Sequence, residues 1–247
     1  MGTKAFSHRK VAIGLSSIAF HATLLLAVPC CADHPPKQGT TMGPTRSLPP
    51  PDVNASVLMQ ALKKRKTSRE FADKPLESQL LSGLLWAAYG INRADGKRTA
   101  PSAHDWQYID LYVADPVGLY HYNAKNHALD LVKLGDIRSQ TGYQDVAATA
   151  PVDLVLVSDQ RKFPIDVSAQ DQLLFAATTS GAIAQNVYLF AAANNLNAGV
   201  RSDIDRAALQ TTMGLPPEQK IIVALSVGYV PTTAAVKASL RSLLGRE

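Results

Sequence analysis

Between Asp171 and Arg201 the chain carries no charged residue. That run includes SGAIAQNVYLFAAA, and its composition predicts one long helix from about Ser168 to Asn194. A helix with no charged stripe has no face to offer water, so it must be buried or lie in an interface. Its alanines let other elements come close. The rest of the fold has to be arranged around it, and 247 residues are enough for one domain with a substantial core.

The remaining elements follow from periodicity and turn signals. Val57, Leu58, Ala61 and Leu62 give a helical stripe that ends in Lys63-Lys64-Arg65-Lys66. A second helix is expected from Pro75, with Leu76, Leu80, Leu84 and Ala88 inward and a stop at Gly90. Tyr108 to Val113 alternates as a strand, and Gly118 to Tyr122 pairs with His127 to Val132 as a hairpin. Val152 to Val157 reads as a buried strand, Asn197 to Arg201 as a short extended exit from the long helix, Asp203 to Met213 as a helix, and Ile221 to Val227 as a last strand. Four or five strands interspersed with helices indicate a layered α+β fold.

The N-terminus reads as a processed segment. Lys4, Arg9 and Lys10 precede an apolar run from Val11 to Val28, and Cys30-Cys31-Ala32 offers small residues before Asp33, so residues 1–32 are expected to be a secretion signal. An uncleaved anchor is the rival reading, and lipidation at Cys30 or Cys31 a further one. Residues 33–52, with Pro35-Pro36 and Pro49-Pro50-Pro51, form a linker, and 53–247 the folded domain. Without the three cations of the signal, 22 Lys and Arg stand against 20 Asp and Glu, so nothing argues for nucleic acid. Both cysteines fall inside the signal, which removes thiol catalysis, cysteine metal sites and disulfides from the mature chain. Export to the periplasm is the expected localisation.

There is no glycine-rich phosphate loop, no GxSxG and no HExxH. His121 and His127 could face each other across the hairpin, but without carboxylate company they read as a solvated pair and not as metal ligands. Three polar points remain. KKRKTSREF, residues 63–71, is either a helix end whose cations meet the helix dipole or a phosphate clasp, with Arg65 and Arg69 as forked donors and Thr67 or Ser68 as hydroxyls. GKRTAPSAHDWQ, residues 96–107, is either an ordinary turn with Asp105 capping and Trp106 packing or a ligand-holding loop. NNLNAGVRS is either a helix stop or a place where Gly199 lets backbone approach a ligand and Arg201 adds a cation.

The order RKTSREF, LLWAAYGINR, RTAPSA, SGAIAQNVYLFAAANNL and a strand ending in GY resembles the nitroreductase family of FMN enzymes, over Val53 to about Val230. GINR, GKRTAPSA and GLYHYNAKNHALDLV look most like its azoline dehydrogenase (SagB-type) branch, whose best-known members oxidise thiazoline and oxazoline rings in modified peptides. The resemblance implies a homodimer packed through the long helices, with FMN in a groove between subunits. By position it implies that Arg65, Lys66, Thr67 and Arg69 grip the phosphate and ribityl chain, that Pro101, Ser102 and Ala103 lie along the flavin beside Asp105, and that Gly199 and Arg201 close the site. The flavin itself performs hydride transfer, so no catalytic acid or base is required of the protein.

The departures from the family pattern are specific. Asp105 stands where many members have Asn, and an ionised carboxylate cannot donate to a flavin carbonyl. RKFPIDVSAQDQ is shorter than the corresponding azoline dehydrogenase segment and lacks its Lys-Tyr pair. Family members often end in a basic C-terminal contact to the phosphate, a role open to Lys237 or Arg241, whose helical spacing equally suits a solvated face. The expectation is an exported FMN-dependent oxidoreductase acting on a small organic or peptidic substrate with an unidentified electron partner. A general nitro or quinone reductase, and a flavin- or partner-binding protein without turnover, are the other readings.

Overall fold

The computed structural model of the protein describes residues 46–232. The signal, most of the linker, Lys237 and Arg241 lie outside the described residues. Among the described residues six strands form one sheet in the order β3-β2-β1-β4-β6-β5, and every neighbouring pair is antiparallel. They are β1 (Ile109–Ala114), β2 (Gly118–Asn123), β3 (Ala128–Leu134), β4 (Val152–Asp159), β5 (Leu196–Arg201) and β6 (Gln219–Tyr229). The extended exit expected at 197–201 is a full strand, paired with β6 along its whole length, and this brings the count to six.

The long helix is α4, Ala169–Ala193. Ser168 caps it, accepting from the Asp171 N–H at 3.1 Å while its own hydroxyl donates to the Asp171 carboxylate at 2.7 Å. By length and hydropathy the helix could span a bilayer. Here it lies on the sheet, with Ala176, Ile183, Ala184, Val187 and Ala191 buried among Leu154, Leu156, Leu225 and Val227. The same core layer takes in α2 (Ser78–Tyr89) through Leu84, Leu85 and Ala88. The opposite sheet face has its own core, where Leu209 and Met213 of α5 (Arg206–Met213) pack on Val155, Val157 and Ala224.

Two elements differ from expectation. α2 begins at Ser78 and not at Pro75, because Ala72 to Glu77 is drawn onto Tyr229: Ala72 N–H donates to the Tyr229 carbonyl at 2.9 Å, and the Lys74 ammonium sits 4.4 Å from the centre of the Tyr229 ring. α1 (Val57–Lys64) forms where its stripe predicts, but only Ala61 is buried, leaving Val57, Leu58 and Leu62 exposed. The two histidines of the hairpin do not face each other. His121 lies opposite Asp130 and 3.6 Å from Asp110, while His127 takes the Tyr122 hydroxyl at 2.8 Å and Ser82 Oγ at 2.7 Å. Carboxylate company therefore exists, for His121 alone. Burial would raise the Asp110 carboxyl, but His121 and Lys162 outweigh it and hold the group below its ordinary range.

Candidate functional site

α1 ends where Arg65 turns extended, and its N–H closes the last helical bond to Ala61 at 2.8 Å. The chain then runs along the free edge of β5. Ser68 N–H donates to the Ala198 carbonyl at 2.9 Å, and the Asn197 amide donates to the Glu70 carbonyl at 2.6 Å. This docking fixes the backbone under the cations of RKTSREF. Thr67 Oγ1 and the Tyr188 hydroxyl on α4 are 3.0 Å apart, and Val200 N–H donates to that hydroxyl at 2.9 Å. The Arg65 guanidinium lies 5.4 Å from the centre of the Tyr188 ring. Arg69 donates from Nε to Gln144 Oε1 at 2.9 Å. Among the described residues no carboxylate pairs with Lys63, Lys64, Arg65, Lys66 or Arg69. Lys64, Lys66 and Tyr188 also line a hollow of about 120 Å³ beside this segment.

The second constellation is the loop 96–107. Arg98, Gln107 and Asp105 bind one another: Arg98 donates from Nε to Gln107 Oε1 at 2.8 Å, and the Gln107 amide donates to Asp105 Oδ1 at 3.1 Å and to the Gly96 carbonyl at 3.2 Å. Asp105 thus serves the loop's own closure. His104, Asp105 and Gln107 have φ of 50, 57 and 49°, left-handed conformations that this network and the packing of Trp106 on Phe163 and Phe175 hold in place. Pro101 is exposed, Ser102 and Ala103 are half-buried, and Ala103 N–H donates to the Tyr108 hydroxyl at 3.2 Å. That hydroxyl meets Thr179 Oγ1 of α4 at 2.7 Å, and Asn186 of α4 reaches the Thr99 carbonyl at 3.4 Å.

These anchors show what the chain itself brings together. Tyr188 and Thr179 are nine residues apart on α4, and Tyr188 and Asn186 two, which at 3.6 residues per turn places them on roughly opposite sides of the helix. The RKTSREF segment lies on one flank of α4 and the Pro101-Ser102-Ala103 turn on the other.

The third expected point is corrected. Gly199 does bring backbone close, but the approaching group is Ser68, whose carbonyl oxygen would lie 2.8 Å from a β-carbon there. Arg201 is turned into the protein's interior. Its side chain is 1% exposed and sits 3.1 Å from the Asp153 carboxylate, which is fully buried, on the sheet face opposite α4. Arg201 also donates to Ser226 Oγ and, at 2.8 Å, to Thr141 Oγ1. Burial pushes the Asp153 carboxyl up to about 6, with Arg201 the strongest opposing influence, ahead of Ser226 and Thr141. The cation was placed at a site; the fold uses it as an internal counter-charge.

Reading along the sequence missed Tyr188, Tyr108, Gln107 and Gln144. Each acts on a partner distant in the chain except Gln107, and nothing local marks a tyrosine in an apolar helix as an anchor for a segment 121 residues earlier.

A model described as the nitroreductase family matches residues 62–229. A Methanocaldococcus jannaschii protein described as a nitroreductase is 29% identical over 160 residues, which cover 61% of this chain and 80% of the relative. A crystal structure from Ralstonia eutropha JMP134, also described as a nitroreductase, is 39% identical with a TM-score of 0.68, over 77% of this chain and 88% of that one. Two solved structures at 18% identity share the fold. One is a chain of the Escherichia coli microcin synthetase McbBCD complex with truncated pro-MccB17 bound (TM-score 0.60, 85% of each chain). The other is the NADPH:FMN oxidoreductase of Vibrio harveyi with NAD+ (TM-score 0.53, 72% of this chain and 70% of that one).

Proposed function

The chain belongs to the nitroreductase family, and from that premise we propose that it is an exported, homodimeric FMN-dependent oxidoreductase. The observation that carries the cofactor assignment is the cationic segment 63–69: the Ser68–Ala198 main-chain bond pins it to β5, and among the described residues none of its cations is paired with a carboxylate. A dianionic phosphate with a hydroxylated tail fits that donor set, with Arg65 and Arg69 as forked donors, Thr67 as a hydroxyl and Lys66 as a point charge. The Pro101-Ser102-Ala103 turn adds a small-residue edge along which a flat ring can lie. Because clasp and turn occupy opposite flanks of α4, a second copy is needed to bring one of each to the same ligand. The exposed Leu173 and Leu174 of α4, with Val57, Leu58 and Leu62 of α1, offer apolar surface for that association.

FMN, when bound, supplies the hydride chemistry, and the chain's own residues hold and orient it. Arg65 and Lys66 stabilise the phosphate, Tyr188 fixes Arg65 and Thr67 in place, and the Tyr108–Thr179 contact holds the turn. Asp105, engaged by Gln107, adds no donor. Secretion removes the protein from the nicotinamide pool, so the reading extends to oxidation of a small organic or peptidic substrate, with electrons passing to a quinone or oxygen.

The test has two parts. Flavin titration should show a loss of about 1.5 to 3 kcal/mol for Arg65→Ala, the range of a charge-assisted hydrogen bond; equal affinity would place the phosphate elsewhere. Anaerobic stopped-flow absorbance should show faster bleaching by an organic substrate or quinol than by NADPH. NADPH bleaching at about 10⁴ M⁻¹s⁻¹ or more would instead assign a general reductase.

A further inference from the structure

Among the cations of its segment, Arg69 is distinguished by a side-chain hydrogen bond. Gln144 Oε1 accepts from its Nε at 2.9 Å. Gln144 occupies the N-cap position of α3 (Asp145–Thr149), where a side chain ordinarily accepts from the first helical N–H groups, and it makes no such bond. Its amide is spent on Arg69 across 75 residues of sequence.

The loop that carries Gln144 is anchored from behind. Thr141 Oγ1 donates to Asp153 at 2.7 Å and accepts from Arg201 at 2.8 Å. Gly142 packs on Arg201, whose Nε would lie 3.1 Å from a β-carbon there, and Tyr143 N–H donates to the Asp203 carbonyl at 3.3 Å. Thr141 and Gly142 are buried, while Gln144 is exposed at the loop's outer end. A continuous line of contacts therefore runs from the buried Asp153–Arg201 pair through Thr141 and its loop to Gln144 and on to Arg69.

From this we infer that Gln144 is a positioning residue for cofactor binding: it holds the Arg69 guanidinium by Nε so that its two terminal amino groups face the ligand. The inference rests on the FMN reading above and goes further in two respects. A neutral amide orients the arginine without cancelling its charge, so an amide at this position is a chemical requirement and not only a steric one. A carboxylate would keep the hydrogen bond and consume the charge that an anionic ligand needs. Arg201 acts on the site through the same loop while touching no ligand.

The experiment is a double-mutant cycle on FMN dissociation constants in the full chain, using Arg69→Ala, Gln144→Ala and the double variant, with Gln144→Glu as a fourth protein. Gln144→Ala should weaken FMN binding about 10-fold, in the range expected when a hydrogen bond to a charged group is lost, and should have no further effect once Arg69 is alanine. Gln144→Glu should also weaken FMN binding although it preserves the acceptor, and its melting temperature without flavin should match wild type. Equal losses from Gln144→Ala in both backgrounds, or full affinity in Gln144→Glu, would overturn the positioning role. Unchanged affinity in Arg69→Ala itself would overturn the clasp reading and the inference with it. A loss in Arg69→Ala with none in Gln144→Ala would overturn the inference alone.

Discussion

Arg201→Ala separates a cation that serves a ligand from one that serves the core. The pair it would break is among the most buried polar groups described, with the Asp153 side chain at 0% and the Arg201 side chain at 1% exposure. Removing one member of such a pair costs about 3 to 5 kcal/mol when the remaining charge has no compensation. Asp153 has an escape, however. Burial has already pushed its pKa up to about 6, and Arg201 is the largest influence keeping it from going higher. Without the arginine the folded-state value rises further, so the buried carboxyl takes up a proton instead of remaining charged.

The sign of the pH dependence follows. A group whose folded pKa lies above its unfolded value of about 3.9 contributes stability below the unfolded pKa, and this is lost as pH rises through the folded pKa. In wild type the loss is complete a little above pH 6. In Arg201→Ala it continues to higher pH, at about 1.4 kcal/mol per pH unit, until it meets the ceiling set by the uncompensated charge. The variant's deficit should therefore be smallest near pH 5, where it reflects the lost hydrogen bonds to Thr141 and Ser226, about 1 to 2 kcal/mol, and should widen steadily from pH 6 to pH 8. Urea unfolding of the flavin-free chain, followed by circular dichroism at pH 5, 6, 7 and 8, measures this directly. A deficit that does not vary with pH would refute the reasoning. So would a variant of normal stability that has lost flavin, which would return Arg201 to the ligand.

Two further outcomes are expected. Gly199→Ala places a β-carbon 2.8 Å from the Ser68 carbonyl, so the chain must shift at a cost of about 1 to 3 kcal/mol; since Ser68 lies within the clasp segment docked on β5, flavin affinity and melting temperature should fall together, and a fall in one alone would argue against the coupling. Leu173→Glu and Leu174→Glu, at positions 62% and 59% exposed in the protomer, should convert a dimer to a monomer that has lost flavin without unfolding, as read by sedimentation; a flavin-loaded monomer would remove the premise of a shared site. Ala184 is unsuited to that test, because it lies in the protomer's own core.

The fold was legible where one physical demand dominated. An uncharged helix of this length admits few placements, and α4 occupies one of them. The first strand emerged from period-two alternation, the hairpin from its turn, and the buried strand from a near-continuous apolar run. The stripe of α1 left its cover open for a definite reason: an apolar stripe states that a surface must be covered, and does not state whether the cover is the same chain or another copy. The start of α2 was displaced by Tyr229, a residue more than 150 positions away, which no window around Pro75 could include.

The candidate site was legible to the same degree, clear where a motif is local and obscured where the sheet decides. RKTSREF and the Pro-Ser turn are continuous segments that lie at the surface of the fold. Gly199 and Arg201 were taken together as parts of one segment, NNLNAGVRS, and two residues apart on a strand they do share a face. The error concerned which face. Leu196, Ala198 and Val200 pack toward α4, so Asn197, Gly199 and Arg201 turn to the other side, where Ser68 and the Thr141 loop cover them. A signal for this existed in the sequence: Asp153 is the one acidic residue inside Val152 to Val157, a run apolar enough to be buried on both faces. A carboxylate there needs a counter-charge from another buried strand or must stay protonated. Arg201, the first charge after the long uncharged run and the end of a strand of the same sheet, meets that need. A lone acid in a buried strand is thus grounds for assigning the nearest strand-borne arginine to the core before assigning it to a ligand.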